Sequence, residues 1–302
     1  MLDDQKIDQY LNHIGFPRDE HPGDPLQLLV ELQQRQLERV PFENLSLHYS
    51  TKKLLSLDLD DLFQKIVVRG RGGYCLENNN FFGAVLRCLG FDPMYAAGRV
   101  KQRTTGKAGW IGWSHLIVLV KIDNVRYLVD VGHGSACPTR PIPLGGGIVA
   151  GIGSQQLKVE FTQLPQHSDP TQRLWVYPHR SYQDSSWIEA YCFTEMEYFS
   201  SDLDSMNLYP MTSPKSLFTQ NVLAQRFLMD EEKQELIGFV AMYGNRIKTS
   251  IRGEEKIIQT FRNEEERTDA IDHWFRIQLG TDEREAIKGH ITTKHPGAPM
   301  SG

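Results

Sequence analysis

Apolar residues in the first ninety positions fall at helical spacing: Ile7, Tyr10, Leu11 and Ile14, then Leu28, Leu29 and Leu32, then Leu62, Ile66 and Val67, the period of amphipathic helices. Leu76, Phe82, Val85, Leu86 and Leu89 continue it, and Gly90 follows as a C-terminal cap. The period then shortens to that of strands. Two aliphatic, β-branched runs, residues 115–122 and 125–132, flank the pair Asp123-Asn124, and residues of this type tolerate the left-handed conformations of a tight hairpin turn. Further strands are expected at 157–161, 174–177 and 187–193, then at 239–243 and 246–251, with a helix at about 263–279. The chain divides accordingly into a helical part, 1–92, a strand part, 93–198, and a mixed part, 199–290. The tail at 291–302, with Pro296 and Pro299 among small residues, is expected to be disordered.

Within this pattern, Arg71-Gly72-Gly73-Tyr74-Cys75-Leu76-Glu77 places one thiol where a glycine-rich loop becomes a helix. Free backbone N–H groups and the helix dipole stabilise a thiolate there, below the roughly 8.5 of an unperturbed thiol. Gly72 and Gly73, lacking Cβ, are expected to let the backbone bend and another molecule approach. Most intracellular cysteines are small buried hydrophobes without chemistry, and Cys88, among apolar helix residues, and Cys137 and Cys192, without a glycine-rich approach or a nearby helix start, fit that description. Whether Cys75 differs depends on a nearby base.

The hairpin supplies one. Pairing Ile122 with Val125 sets Ile117 opposite Asp130 and His115 opposite Gly132, so His115 and Asp130 share a face as diagonal neighbours about 7–8 Å apart at the backbone. A buried aspartate in an aliphatic strand is costly without a partner, and His115 is the partner the register offers. Carboxylate, imidazole and thiol form the set needed for nucleophilic catalysis, the first orienting the second and the second taking the proton of the third.

Composition narrows the class. The 302 residues suffice for two or three domains, and the formal charge of −5 gives no reason to expect a nucleic acid or an anionic membrane as partner. Four cysteines without disulfide-like or zinc-like spacing suit a reducing compartment, and the polar, acidic start argues against a signal peptide; the expectation is cytoplasmic. No apolar run approaches the length of a membrane span. The glycine-rich stretch 144–153 lacks the Lys-Ser/Thr of a phosphate-binding loop and reads as a mobile structural loop.

Several blocks together resemble the arylamine N-acetyltransferases: Val40-Pro41-Phe42-Glu43-Asn44-Leu45, the Arg71–Glu77 nucleophile block, the strand opened by His115, and Asp130-Val131-Gly132. Trp187 to Phe193, Asp202 to Asn207 and Thr212 to Phe218 extend the similarity over about residues 10–240. The resemblance implies an α+β fold: an N-terminal helical bundle, a central β-barrel and a C-terminal α/β lid, around a papain- or transglutaminase-like Cys-His-Asp core. It also implies ping-pong acyl transfer from acetyl-CoA or malonyl-CoA, through an acyl-cysteine on Cys75, to an arylamine, arylhydroxylamine or hydrazine, without a metal. It places Phe42 in the acceptor pocket and Gly112, Tyr209 and Ser216 against coenzyme A. His133 departs from the family, which has phenylalanine there; a polar ring at the acceptor wall points to an altered choice of donor or acceptor. Two other readings use the same residues: a thiol hydrolase of the papain or transglutaminase kind, and a non-enzymatic ligand or metal binder, although the spacing of Cys75, His115, Asp130 and His133 fits no standard zinc pattern.

Overall fold

A computed structural model describes residues 2–102, 109–181 and 185–293. The helices are α1 (Asp4–His13), α2 (Pro25–Arg39), α3 (Leu59–Phe63), α4 (Cys75–Cys88), α5 (Ser200–Thr212), α6 (Leu217–Gln220), α7 (Glu264–Phe275) and α8 (Thr281–Ala286). The strands are β1 (Phe42–Glu43), β2 (Pro93–Gln102), β3 (Gly109–Trp110), β4 (His115–Ile122), β5 (Val125–Val129), β6 (Ile142–Pro143), β7 (Val149–Ala150) and β8 (Gln156–Leu157). They continue with β9 (Glu160–Thr162), β10 (Leu174–Arg180), β11 (Ile188–Glu197), β12 (Leu223–Asp230), β13 (Glu235–Tyr243), β14 (Arg246–Ile251) and β15 (Glu254–Thr260).

Strands β6-β5-β4-β2-β11-β10-β8-β7 form a curved, nearly closed barrel-like sheet, and β1-β12-β13-β14-β15 a second sheet. The fold is thus α+β, with helices before the barrel and a mixed helix and sheet region after it. β4 is apolar on both faces because both are covered. Val118 and Val120 pack with Phe81, Phe82 and Val85 of α4, while Ile117 and Leu119 point into the barrel beside Tyr177, Tyr191 and Phe193. Such double burial explains its unbroken aliphatic run.

The hairpin has the expected register, Ile122 opposite Val125 through Val118 opposite Val129. Asp123 and Asn124 both take positive φ, 47° and 65°, as a two-residue turn of this hand requires. The ladder stops at Val129, one residue before Asp130, which frees that residue's backbone for other partners. α4 ends as expected: Gly90 has φ 88°, the Phe91 N–H reaches Leu86 C=O and the Gly90 N–H reaches Arg87 C=O, the paired bonds of a Schellman cap.

Four expectations change. Gly72 and Gly73 make room for the protein's own chain: a Cβ on Gly72 would lie 1.8 Å from the Pro41 carbonyl oxygen and one on Gly73 2.6 Å from the Glu77 side chain. The glycine-rich stretch is partly ordered by pairing, since Val149 and Ala150 of β7 pair with Leu157 and Gln156 of β8. Cys88 is exposed rather than buried, because it sits in the last turn of α4 with its thiol toward the Leu2 carbonyl. In the tail, Thr292 is buried and hydrogen-bonded to His48 and Arg267; the rest of the tail, from residue 294, lies outside the described residues.

Candidate active site

Cys75 is the first residue of α4. Its helix start is stapled by Glu77, whose carboxylate accepts the Tyr74 N–H at 3.1 Å and the Lys65 ammonium at 2.6 Å. First-turn N–H groups such as those of Cys75 and Leu76 have no carbonyl one turn earlier to bond, so they are available to an incoming oxyanion. Below the loop, Arg71 is almost fully buried and grips Glu43 through two nitrogens, at 3.1 and 3.3 Å, while its third nitrogen meets Glu283 at 3.0 Å. Burial raises the Glu43 carboxyl, but Arg71 and Lys65 outweigh it and hold it below the usual carboxylate range. Burial pushes Glu77 above that range despite Lys65. The Pro41-Phe42-Glu43 segment is thereby clamped between the nucleophile loop and β12, with Phe42 bridging Gly73 on one side and pairing with Gln225 on the other.

His115 Nε2 lies 2.8 Å from Asp130 Oδ2, with both side chains buried, and the buried Cys75 turns its thiol toward the carbonyl of Ser114, the residue before His115, at 3.6 Å. Burial alone would lower the histidine; Asp130, and then Cys75, override it and raise the imidazole to about 10. Burial likewise opposes charge on Asp130, yet His115, His133 and Asn79 hold its carboxyl down at about 2. Each partner thus favours the charged form of the other.

Asn79, which the periodicity did not single out, does three things at once. Its Nδ2 donates to Asp130 Oδ1 at 2.8 Å and to the Leu116 carbonyl at 2.7 Å, and its Oδ1 accepts the Val131 N–H at 2.8 Å. It stands four residues after Cys75 and so on the same helix face. The signal was present in the buried run Asn78-Asn79-Asn80 inside an otherwise apolar helix, where unpartnered amides are costly. Two more supports came from parts of the chain that no spacing links to His115 and Asp130. Gln33 of α2 donates to the Asp130 and Pro138 carbonyls at 3.2 and 2.8 Å. The Tyr191 ring packs 4.7 Å from the His115 ring.

The remaining site residues divide. His133 is half-buried, its ring 4.7 Å from that of His115 and 4.8 Å from Tyr191. Phe42 packs in the same apolar cluster as Cys75, Leu116 and Phe218. Gly112, Tyr209 and Ser216 are scattered by comparison. Gly112 is exposed with open space around its Cα, and Tyr209 is exposed on α5. Ser216 is buried, its hydroxyl donating to the Pro210 carbonyl at 2.7 Å and accepting the Phe218 N–H at 3.2 Å to cap α6. Cys137 and Cys192 are buried thiols, and burial raises Cys137 well above its ordinary value and Cys192 to about 12. Donor atoms of His115, Asp130 and His133 lie within 4.8 Å of one another, a juxtaposition that sequence spacing did not foretell; Cys75 is not among them. Among the described residues, no helix is long and apolar enough to cross a membrane.

Comparison with known proteins bears on this arrangement. A profile of the N-acetyltransferase family matches residues 25–284. The N-malonyltransferase FDB2 of Fusarium pseudograminearum is 34% identical over 87% of this chain and 81% of its own. Human arylamine N-acetyltransferase 1 is 31% identical over 70% of this chain and 74% of its own. Among solved structures, the arylamine N-acetyltransferase of Nocardia farcinica superposes with a TM-score of 0.78 at 28% identity over 94% of both chains. That of Mycobacterium marinum in complex with CoA gives a TM-score of 0.78 at 25% identity, over 94% of this chain and 97% of the other. With its profile match, its relatives and its fold in agreement, the chain belongs to the arylamine N-acetyltransferase family of acyltransferases.

Proposed function

We propose that Cys75, His115 and Asp130 are the catalytic triad of an acyl-CoA-dependent N-acyltransferase. The observation that carries this reading is the buried His115–Asp130 hydrogen bond of 2.8 Å, with Cys75 at a helix start and its thiol 3.6 Å from the carbonyl of Ser114, the residue before His115. The Cys75 sulfur attacks the thioester carbonyl, and first-turn N–H groups stabilise the oxyanion, each such donor contributing about 2.7–4 kcal/mol. The carbon–sulfur bond to coenzyme A breaks, and the leaving thiolate takes the proton of His115. An arylamine, unprotonated at neutral pH, then attacks the acyl-cysteine, passes its proton to the imidazole and restores the thiolate.

The donor we favour is malonyl-CoA. The relatives named N-malonyltransferase are 32–34% identical over 87% of this chain, and His133 sets a polar ring beside the site, where the terminal carboxylate of a malonyl group can accept a hydrogen bond. Phe42 is assigned to the acceptor wall on its packing beside Cys75. For coenzyme A, Gly112 and Tyr209 are exposed and able to touch a ligand. Ser216 contributes through the shape of the α5–α6 corner, since its hydroxyl is already engaged.

Mass spectrometry of the intact protein after mixing with malonyl-CoA or acetyl-CoA tests the whole reading. One acyl group should appear on Cys75 and leave when an arylamine is added. A protein that never acquires the label, or whose label leaves equally fast with water alone, overturns it, the second outcome in favour of a hydrolase. Loss of turnover on chelation would instead favour a metal at His115, Asp130 and His133. A malonyl preference unchanged in His133→Phe removes the role given to that ring.

A further inference from the structure

Away from the triad, the end of α2, the strand β12 with the turn after it, and the end of α7 border a half-open pocket of about 480 Å³. Its wall carries four arginines, Arg35, Arg39, Arg226 and Arg276, against two glutamates, Glu38 and Glu231. One carboxylate, Glu38, serves three of the guanidinium groups: Arg226 at 3.1 Å, Arg39 at 2.5 Å and Arg276 at 3.8 Å. Two carboxylate oxygens cannot neutralise three such cations, so an excess of positive charge faces a volume in the range of small-ligand pockets. Arg226 is nine-tenths buried; burial and the charges of Arg276 and Arg39 oppose its charge, while the Glu38 carboxylate at 3.1 Å and the Trp274 carbonyl at 3.3 Å hold it.

The backbone supplies a second, independent sign. α7 ends at Arg276 in the left-handed region, φ 58° and ψ 30°, a position that strongly favours glycine or asparagine. The chain carries an arginine there, whose guanidinium reaches toward Glu38 across the cavity. Strain of this kind persists where a side chain is needed at that place.

We infer that this cavity is a binding site for a small phosphate-bearing anion, of the pyrophosphate or phosphate-ester class, separate from the place where the acyl group is transferred. Planar guanidinium forks match phosphate oxygens in pairs, and none of the cavity's lining residues belongs to the triad or to the cluster around Phe42. The same chemistry has two sources, a free phosphate compound or the phosphates of coenzyme A itself.

Thermal unfolding of the full chain in increasing pyrophosphate, against potassium chloride of equal ionic strength, tests the site. For the wild type a saturable rise in Tm is expected with pyrophosphate only. Arg276→Gly relieves the left-handed backbone, so without ligand it should be at least as stable as wild type, yet it should weaken pyrophosphate binding about tenfold or more. Arg39→Gln, at a partly exposed position, should weaken it as well. Repeating the titration with coenzyme A separates the sources: a CoA response lost in Arg276→Gly assigns the site to the donor's phosphates, and one retained assigns it to a free anion. No rise beyond the salt control, or an unchanged midpoint in both variants, overturns the inference.

Discussion

Gly132 lies directly against Cys75: a Cβ placed on Gly132 would fall 2.6 Å from the Cys75 Cα and 2.9 Å from Asn79 Nδ2. Its φ is not in the left-handed region, so alanine could adopt the backbone and the obstacle is purely one of space. Gly132→Ala should therefore push the start of α4 away from the segment that follows β5. The expected cost is about 1–3 kcal/mol in stability, with a fall in kcat/KM of about a hundredfold if Cys75 is the nucleophile we propose, because it is then misplaced. Chemical denaturation and steady-state kinetics on the one variant check both; wild-type activity at normal stability would show that the two elements can part without consequence.

Asn79 is the support most exposed to a sharp test, since it bonds Asp130, the Leu116 carbonyl and the Val131 N–H together. Asn79→Ala leaves these buried groups short of partners, at about 1–3 kcal/mol, and should lower kcat/KM by about ten- to a hundredfold. Asn79→Asp should be worse at neutral pH despite its similar shape, because it sets a second carboxylate against the Asp130 carboxylate and spoils the charge complement of His115. The order Asp below Ala below Asn in acyl-enzyme formation is the result to look for, and equal rates for the two variants would deny the electrostatic role.

Two histidines make opposite contributions along the pH axis. His48 is buried beside His290, and burial first, with His290 and Arg267 adding, lowers it from 6.5 to about 4. The unfolded chain takes up a proton that the folded one refuses, so this contribution is complete above about 6.5 and is lost as pH falls toward 4, up to about 3 kcal/mol. His115, raised to about 10 by Asp130, contributes fully below about 6.5 and loses that contribution as pH rises toward 10. Denaturation midpoints between pH 4 and 7 should thus fall on acidification in wild type. They should fall less steeply in His48→Gln, with part of the slope remaining because burial also lowers His13 and His290. Parallel slopes in the two proteins would mean that His48 is not held neutral.

How much of this was legible in the sequence depends on the range of each interaction. The hairpin could be aligned from residues 115–132 alone because strand parity and a two-residue turn are local rules, and the His115–Asp130 contact followed from them. Cys75 could be placed at a helix start for the same reason. What brings α4 to the hairpin is long-range packing of Phe81, Phe82 and Val85 on Val118 and Val120, and no spacing encodes it; only the family resemblance anticipated it. Gly72 was misjudged because its neighbour, the Pro41 carbonyl, is distant in sequence, and Gly73 because the Glu77 side chain four residues on folds back against it. Cys88 was misjudged because apolar helix neighbours do not say which way the last turn faces. The arginine cavity was invisible, as its walls come from residues 35–39, 226–234 and 276.

The loop that leads into Cys75 rests on Arg71 and Glu43, buried together and joined by two hydrogen bonds. Arg71→Ala strands the Glu43 carboxylate with Lys65 at 3.9 Å as its nearest remaining cation, so a loss of about 3–5 kcal/mol is expected. The converse change, Glu43→Leu, strands Arg71 less severely, because Glu283 at 3.0 Å remains. In the double variant Arg71→Met with Glu43→Leu neither charge is left alone, and stability should return to well above that of Arg71→Ala. Activity should not return with it. Glu43 also accepts the Leu45 N–H at 2.5 Å, and the clamp that holds Phe42 against Gly73 and β12 depends on that turn. Urea midpoints and acyl-enzyme rates measured on the three variants separate the two effects. Recovery of both stability and rate in the double variant would show that the ion pair holds the loop only as filler. Recovery of stability alone would show that it sets the position of the nucleophile.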